Sequence, residues 1–140
     1  MRLRILAVGK LKQPGLEALV ADYCKRARTL LPIELVHVRA HKSIADKRSE
    51  GPRVVLDERG EQIDTLTLAA WLRSWRDAGV REVEFVIGGA HGFDDAAREA
   101  ADRVLALSRL TLPHRLAQVL LVEQLYRAAT VLTNHPYHHR

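Results

Sequence analysis

Cysteine is nearly missing from this chain. Cys24 is the only one among 140 residues, so no intrachain disulfide can form, which fits a reducing compartment. No apolar run is long enough to span a bilayer. The opening Met1-Arg2-Leu3-Arg4-Ile5 runs directly into a strand-like segment. It carries no long apolar h-region and no small-residue cleavage site, so no signal peptide is expected. Several chemical signatures are absent too. There are no spaced glycines of a dinucleotide fingerprint and no phosphate loop ending in Lys-Ser/Thr. No Cys/His array suits zinc, and there is no serine nucleophile elbow. Neither an internal repeat nor a linker is visible.

What is present is an ordinary globular balance, 47% hydrophobic and 28% charged, which excludes disorder and membrane classes. The length suits one domain, residues 1–140, with a real core. The net charge is +5 and the isoelectric point about 9.8. A small basic protein points to a polyanionic partner, with nucleic acid leading. The plain alternative is a mildly basic surface with no partner.

Hydrophobic periodicity gives five strand–helix alternations. Residues 3–8 form a buried strand ended by Gly9. A Gln13-Pro14-Gly15 turn leads into a helix with Leu16, Leu19, Val20, Tyr23, Ala27 and Leu30 at helical spacing, stopped by Pro32. Residues 33–38 are a second strand. Residues 40–52 read as a basic loop in which Lys42, Lys47 or Arg48 is a candidate phosphate contact. Residues 53–57 are a third strand with Asp57 at its carboxyl end. Asp64 or Thr65 caps the next helix; its Leu68, Trp71, Leu72 and Trp75 make an apolar stripe, and Ala78-Gly79 stops it. Residues 83–87 are a fourth strand, Asp94 caps a short helix, and residues 103–107 are a fifth strand. A long helix then runs from about Pro113 to Leu132. The alternation predicts an α/β domain with a mostly parallel sheet and helices on both faces. The last helix is apolar around nearly its whole circumference, as expected of a helix covered on all sides, partly by a second subunit. Its Glu123 and Arg127 are spaced to pair.

Open α/β sheets bind ligands beyond the carboxyl ends of their strands. Three such ends stand out: Leu56-Asp57, Gly88-Gly89, and the run Ser108-Arg109-Leu110-Thr111-Leu112 before Pro113 and His114. Two adjacent glycines permit close backbone approach, although glycines after strands are often only turns. The chain closes on Thr133-Asn134-His135-Pro136-Tyr137-His138-His139-Arg140. Such crowding of imidazole and aromatic groups suits a tail that folds over a ligand; the bland alternative is a solvated, His-rich end.

Four ordered stretches together resemble the ribosomal RNA large subunit methyltransferase H family, knotted methyltransferases of the SPOUT class. They are Ile87-Gly88-Gly89-Ala90-His91-Gly92-Phe93, Leu107 to His114, Glu123-Gln124-Leu125-Tyr126-Arg127-Ala128, and Thr133 to His138; the opening Leu6-Ala7-Val8-Gly9-Lys10 fits as well. The resemblance implies S-adenosylmethionine as cofactor and methylation at N3 of a pseudouridine in a 23S rRNA stem-loop of the ribosome. It also implies a C-terminal trefoil knot, an obligate homodimer and a cytoplasmic setting. By the match, the cofactor would sit on Leu56, Gly88, Gly89, Ser108, Arg109, Leu110, Thr111, Leu112 and Pro113. His114 and Tyr137 are the candidates to act on the base, and Arg127, His135, Tyr137 and His138 the candidates to hold RNA. Two departures stand out: Ala90-His91 replaces the Pro-Glu usual in relatives, and the segment between the second and third strands is short. No metal is implied. A non-catalytic RNA-binding α/β module and a metal-dependent hydrolase using the terminal histidines are the competing readings.

Overall fold

The computed structural model describes residues 1–39, 44, 48–89 and 92–138. Five strands, β1 (Arg2–Val8), β2 (Ile33–Val38), β3 (Arg53–Gln62), β4 (Glu82–Ile87) and β5 (Arg103–Ala106), form one sheet in the order β2-β1-β4-β3-β5. Every pairing is parallel, with Val8 opposite Val38, Ala7 opposite Ile87, and Leu56 opposite both Ile87 and Leu105. All five carboxyl ends therefore share one edge. The helices are α1 (Pro14–Ala27), α2 (Thr65–Asp77), α3 (Asp95–Ala100) and α4 (His114–Leu132), followed by a 3-10 turn, Pro136–His138.

Strand alternation divides the core. Leu3, Ile5, Val54, Leu56, Val83, Phe85 and Ile87 face α1, α2 and α4, where they meet Val20, Leu72, Leu121 and Leu125. Leu6, Val55 and Val86 face the other way and pack with Ile44, Phe93 and Ala97, so α3 covers the second face. That second face also holds an ion pair. The Arg53 guanidinium donates to Glu84 Oε2 from Nε (3.0 Å) and Nη2 (2.8 Å) and to the Ile44 carbonyl (2.9 Å). Glu84 is fully buried and Arg53 nearly so.

The helix signals act as expected. Asp64 Oδ1 accepts from Thr67 N at 2.8 Å, and Asp94 Oδ1 from Ala97 N at 2.9 Å. Gly79, at φ +81°, ends α2: its N–H reaches the Arg76 carbonyl and Val80 N–H reaches Trp75. Asn134, at φ +55°, ends α4 the same way: His135 N–H bonds the Thr130 carbonyl at 2.8 Å and Asn134 N–H the Val131 carbonyl at 3.4 Å.

One boundary differs from expectation. β3 does not end at Asp57 but runs on to Gln62, with a register break between Leu56 and Glu61. Gly60 makes this possible: a Cβ there would lie 2.6 Å from the backbone of Val104. The polar sequence of this arm hid a strand because its pairing is with backbone, not with core.

Candidate functional site

The three strand ends named above converge. A cavity of about 130 Å³ is lined by Leu56, Asp57, Ile87, Gly88, Gly89, Gly92, Leu105, Leu107, Ser108, Leu110, Leu112, His114 and Ala117. Its floor is the carboxyl edge of β3, β4 and β5, and its outer wall is the loop entering α4. That loop is held at two points. Ser108 Oγ accepts from Leu110 N (2.9 Å), and Thr111 Oγ1 donates to Glu58 Oε2 on the β3 arm (3.3 Å). Leu110 stands largely exposed at the lip.

The glycines serve different ends. A Cβ on Gly88 would lie 3.2 Å from the Phe93 ring and 3.3 Å from Gly92 C, so this position is tight because the loop folds back on itself. Gly92 needs its φ of +68°. Gly9, at φ +87°, places the end of β1 against His114, whose Nε2 is 3.8 Å from where a Gly9 Cβ would stand.

Asp57 is a lining residue that the sequence marks only by its place at a strand end. Its Oδ1 accepts from Arg59 N (2.9 Å), and its Oδ2 receives Arg98 Nη1 (3.1 Å). Arg98 also binds Asp95. These pairings raise the Arg98 pKa, with the hydrogen bond to Asp95 contributing most and Asp57 adding to it against desolvation. Leu105, Leu107 and Ala117 line the cavity too; the signal for Ala117 is its place one turn after His114 on α4.

The remaining expected site residues lie elsewhere. Arg109, Thr111 and Pro113 belong to the wall loop but not to the lining. Tyr137 folds back against the middle and second half of α4 and does not line the cavity. Its ring lies 4.6 Å from Tyr126, with Arg26 4.9 Å and Arg127 4.8 Å from its centre. Its hydroxyl donates to Glu123 Oε1 (3.2 Å). Burial foremost, then hydrogen bonding with Tyr23 and the negative charge of Glu123, pushes the Tyr137 hydroxyl well above the ordinary phenol range. Arg127 pairs with Glu123 at 2.7 Å, as the spacing predicts. His135 Nδ1 accepts from Tyr137 N (3.2 Å). Within one chain, then, Tyr137 and His135 do not line the cavity that His114 lines.

Arg48 is engaged with Asp102 (3.3 Å) and the Ala100 carbonyl (3.1 Å), so it braces the fold and is not a free phosphate contact. Lys42, Lys47, Ala90, His91, His139 and Arg140 lie outside the described residues. Cys24 is half-buried, and burial raises its thiol pKa, as suits an inert thiol. Among the described residues no helix is long and apolar enough to cross a membrane.

A parallel sheet, a cavity at its carboxyl edge and a loop-to-helix wall make an α/β ligand-binding domain. The family model described as "Predicted SPOUT methyltransferase" matches residues 1–138, and the chain belongs to that family. Within it, curated relatives named "Ribosomal RNA large subunit methyltransferase H" align over the full length, and the chain is a member of their family. The relative from Pelobacter propionicus is 44% identical over 153 residues, covering 99% of this chain and 100% of its own. That from Paramagnetospirillum magneticum is 43% identical over 152 residues, covering 99% of each. Solved structures agree on the fold. A probable methylase family protein from Haemophilus influenzae matches with a TM-score of 0.59 at 14% identity, over 96% of this chain and 69% of that one. A probable methyltransferase from Bordetella pertussis gives 0.57 at 16%, over 91% and 96%.

Proposed function

We propose that residues 1–140 act as a single SPOUT domain that transfers a methyl group from S-adenosylmethionine to N3 of a pseudouridine in 23S rRNA, as a cytoplasmic homodimer with a trefoil-knotted C-terminal half. The observation that carries this reading is the end-to-end match to relatives bearing the large-subunit methyltransferase name, together with a cavity at the expected strand ends.

The residues of the cavity fit the cofactor's chemistry. Leucines and Ile87 offer apolar walls for a purine ring, and Asp57 contributes a carboxylate. The volume is below the ~300–1000 Å³ usual for drug-sized ligands, so a bound donor would extend past the lip at Leu110. When bound, the cofactor supplies a sulfonium-activated methyl. The protein's part is to hold the acceptor nitrogen in line with it and to see that the N3 proton leaves. His114 lines the cavity at the first turn of α4 and is the group placed to accept that proton. Tyr137, seated against Glu123 and Tyr126 outside this cavity, would serve a base in the partner's cavity, by stacking or edge contact; stacking on a base is worth roughly 1–3 kcal/mol. A tail acting in the partner's site makes dimerisation a condition for activity.

Mass mapping of 23S rRNA from cells with and without this gene tests the reading. One methyl on one pseudouridine should disappear with the gene. Identical maps would overturn it.

A further inference from the structure

Beside the cofactor cavity, beyond the carboxyl ends of β1 and β2, lies a second cleft of about 510 Å³ lined by Gly9, Lys10, Lys12, His37, Val38 and Arg39. We propose that this cleft is a phosphate subsite for the RNA backbone next to the target base, with Lys10, Lys12 and Arg39 as its cations; it rests on the rRNA reading above.

Local structure supports a built site. Leu11 is only 2% exposed and pins the loop into the core, while Lys10 and Lys12 on either side of it are exposed. The loop is kinked at both ends into left-handed backbone, at Gly9 (φ +87°) and Lys12 (φ +54°). Lysine seldom adopts that conformation, and such outliers collect at ligand sites. Among the described residues no carboxylate pairs with Lys10, Lys12 or Arg39, whereas Arg2, Arg48, Arg53, Arg98, Arg103 and Arg127 each meet one.

The floor carries a second sign. His37, which lines the cleft, holds its Nε2 3.1 Å from Gln118 Oε1. Gln118 is fully buried on α4, and its Nε2 has no partner. Three cations without a carboxylate partner around one cleft suit an acceptor-rich ligand such as a phosphate. The cleft is also placed correctly: Gly9 lines it, a Cβ on Gly9 would lie 3.8 Å from His114 Nε2, and His114 lines the cofactor cavity. A base inserted toward His114 would leave its flanking phosphates over the lysines.

The test compares wild type with the double variant Lys10→Ala/Lys12→Ala, using bacterial ribosomes as the methyl acceptor over a range of salt. Both side chains are exposed, so the variant should fold and bind S-adenosylmethionine as wild type does in calorimetric titration. The KM for ribosomes should rise on the order of tenfold, and the slope of log affinity against log salt should become shallower by roughly 1.4 to 1.8, as for two lost phosphate contacts. Lys10→Arg/Lys12→Arg should restore both. Unchanged KM and slope, with wild type active, would overturn the subsite alone; a wild type that methylates no ribosome would overturn the functional reading instead. A rise in melting temperature with millimolar inorganic phosphate, without the ribosome effects, would mark a free-anion site and also defeat the proposal.

Discussion

Tyr137 shows how one residue can serve fold and function together. Its ring belongs to the tyrosine–arginine stack on the second half of α4, with Tyr126 and Arg26 beside it, although Thr133 to Pro136 before it are exposed. Replacing Tyr137 by Ala should cost about 1–2 kcal/mol in urea unfolding, from lost burial and an aromatic pair. The pH dependence follows from its raised pKa. The fold favours the neutral hydroxyl, so this contribution is complete below the ordinary tyrosine value of about 10. It falls as pH climbs from there toward the folded value. Tyr137→Phe should show a flatter alkaline loss of stability than wild type; parallel curves would mean that Tyr137 titrates as freely as in the unfolded chain.

Among the elements, β3 and β4 carry the costliest polar contact, the buried Arg53–Glu84 pair. Breaking it from one side leaves an unpaired buried charge. Arg53→Met or Glu84→Leu alone should destabilise by ~3–5 kcal/mol, and the double variant should recover most of that loss. Equal unfolding midpoints for the single and double variants would show that the charges do not depend on one another. This pair also marks where sequence reading stops. Arg53 and Glu84 sit on strands whose apolar members were plain, but nothing in a sequence says that two charges 31 positions apart face each other inward. Strands and helices were legible because their apolar periods, caps at Asp64 and Asp94, and stops at Gly79 and Pro32 are local signals. The β3 arm through Gln62 was not, because its polar side chains carry no core pattern. Leu56, Gly88 and His114 could be placed at the site from strand-end logic, whereas Asp57's tie to Arg98 and the seating of Tyr137 depend on tertiary packing.

For the whole molecule, α4 decides what a second copy can cover. Its apolar circumference is mostly explained inside one chain, since Leu121, Val122 and Leu125 are fully buried there. Leu116 (44% exposed) and Leu120 (43%) remain open one turn apart and are the side chains left for the proposed dimer. Leu120→Arg should leave chain stability within about 0.5 kcal/mol yet shift a dimer to monomer in sedimentation, because an unpaired charge at an interface costs several kcal/mol. Leu121→Arg is a poor probe, as it would disrupt the core first. Wild type sedimenting as a monomer at micromolar concentration would remove the dimer and, with it, the tail's role in trans.

The narrow cavity between Gly88 and the Ser108–Leu110 wall has a consequence in time. A donor the size of a nucleoside overfills 130 Å³, and the wall beside it is tied to the β3 arm by Thr111 and Glu58. A wall that opens before the donor seats gives association a speed set by the protein and not by the donor's concentration. In stopped-flow mixing, the observed binding rate should climb at first and then level off at the frequency with which the wall opens. Thr111→Val, which cuts one tie, should raise that plateau.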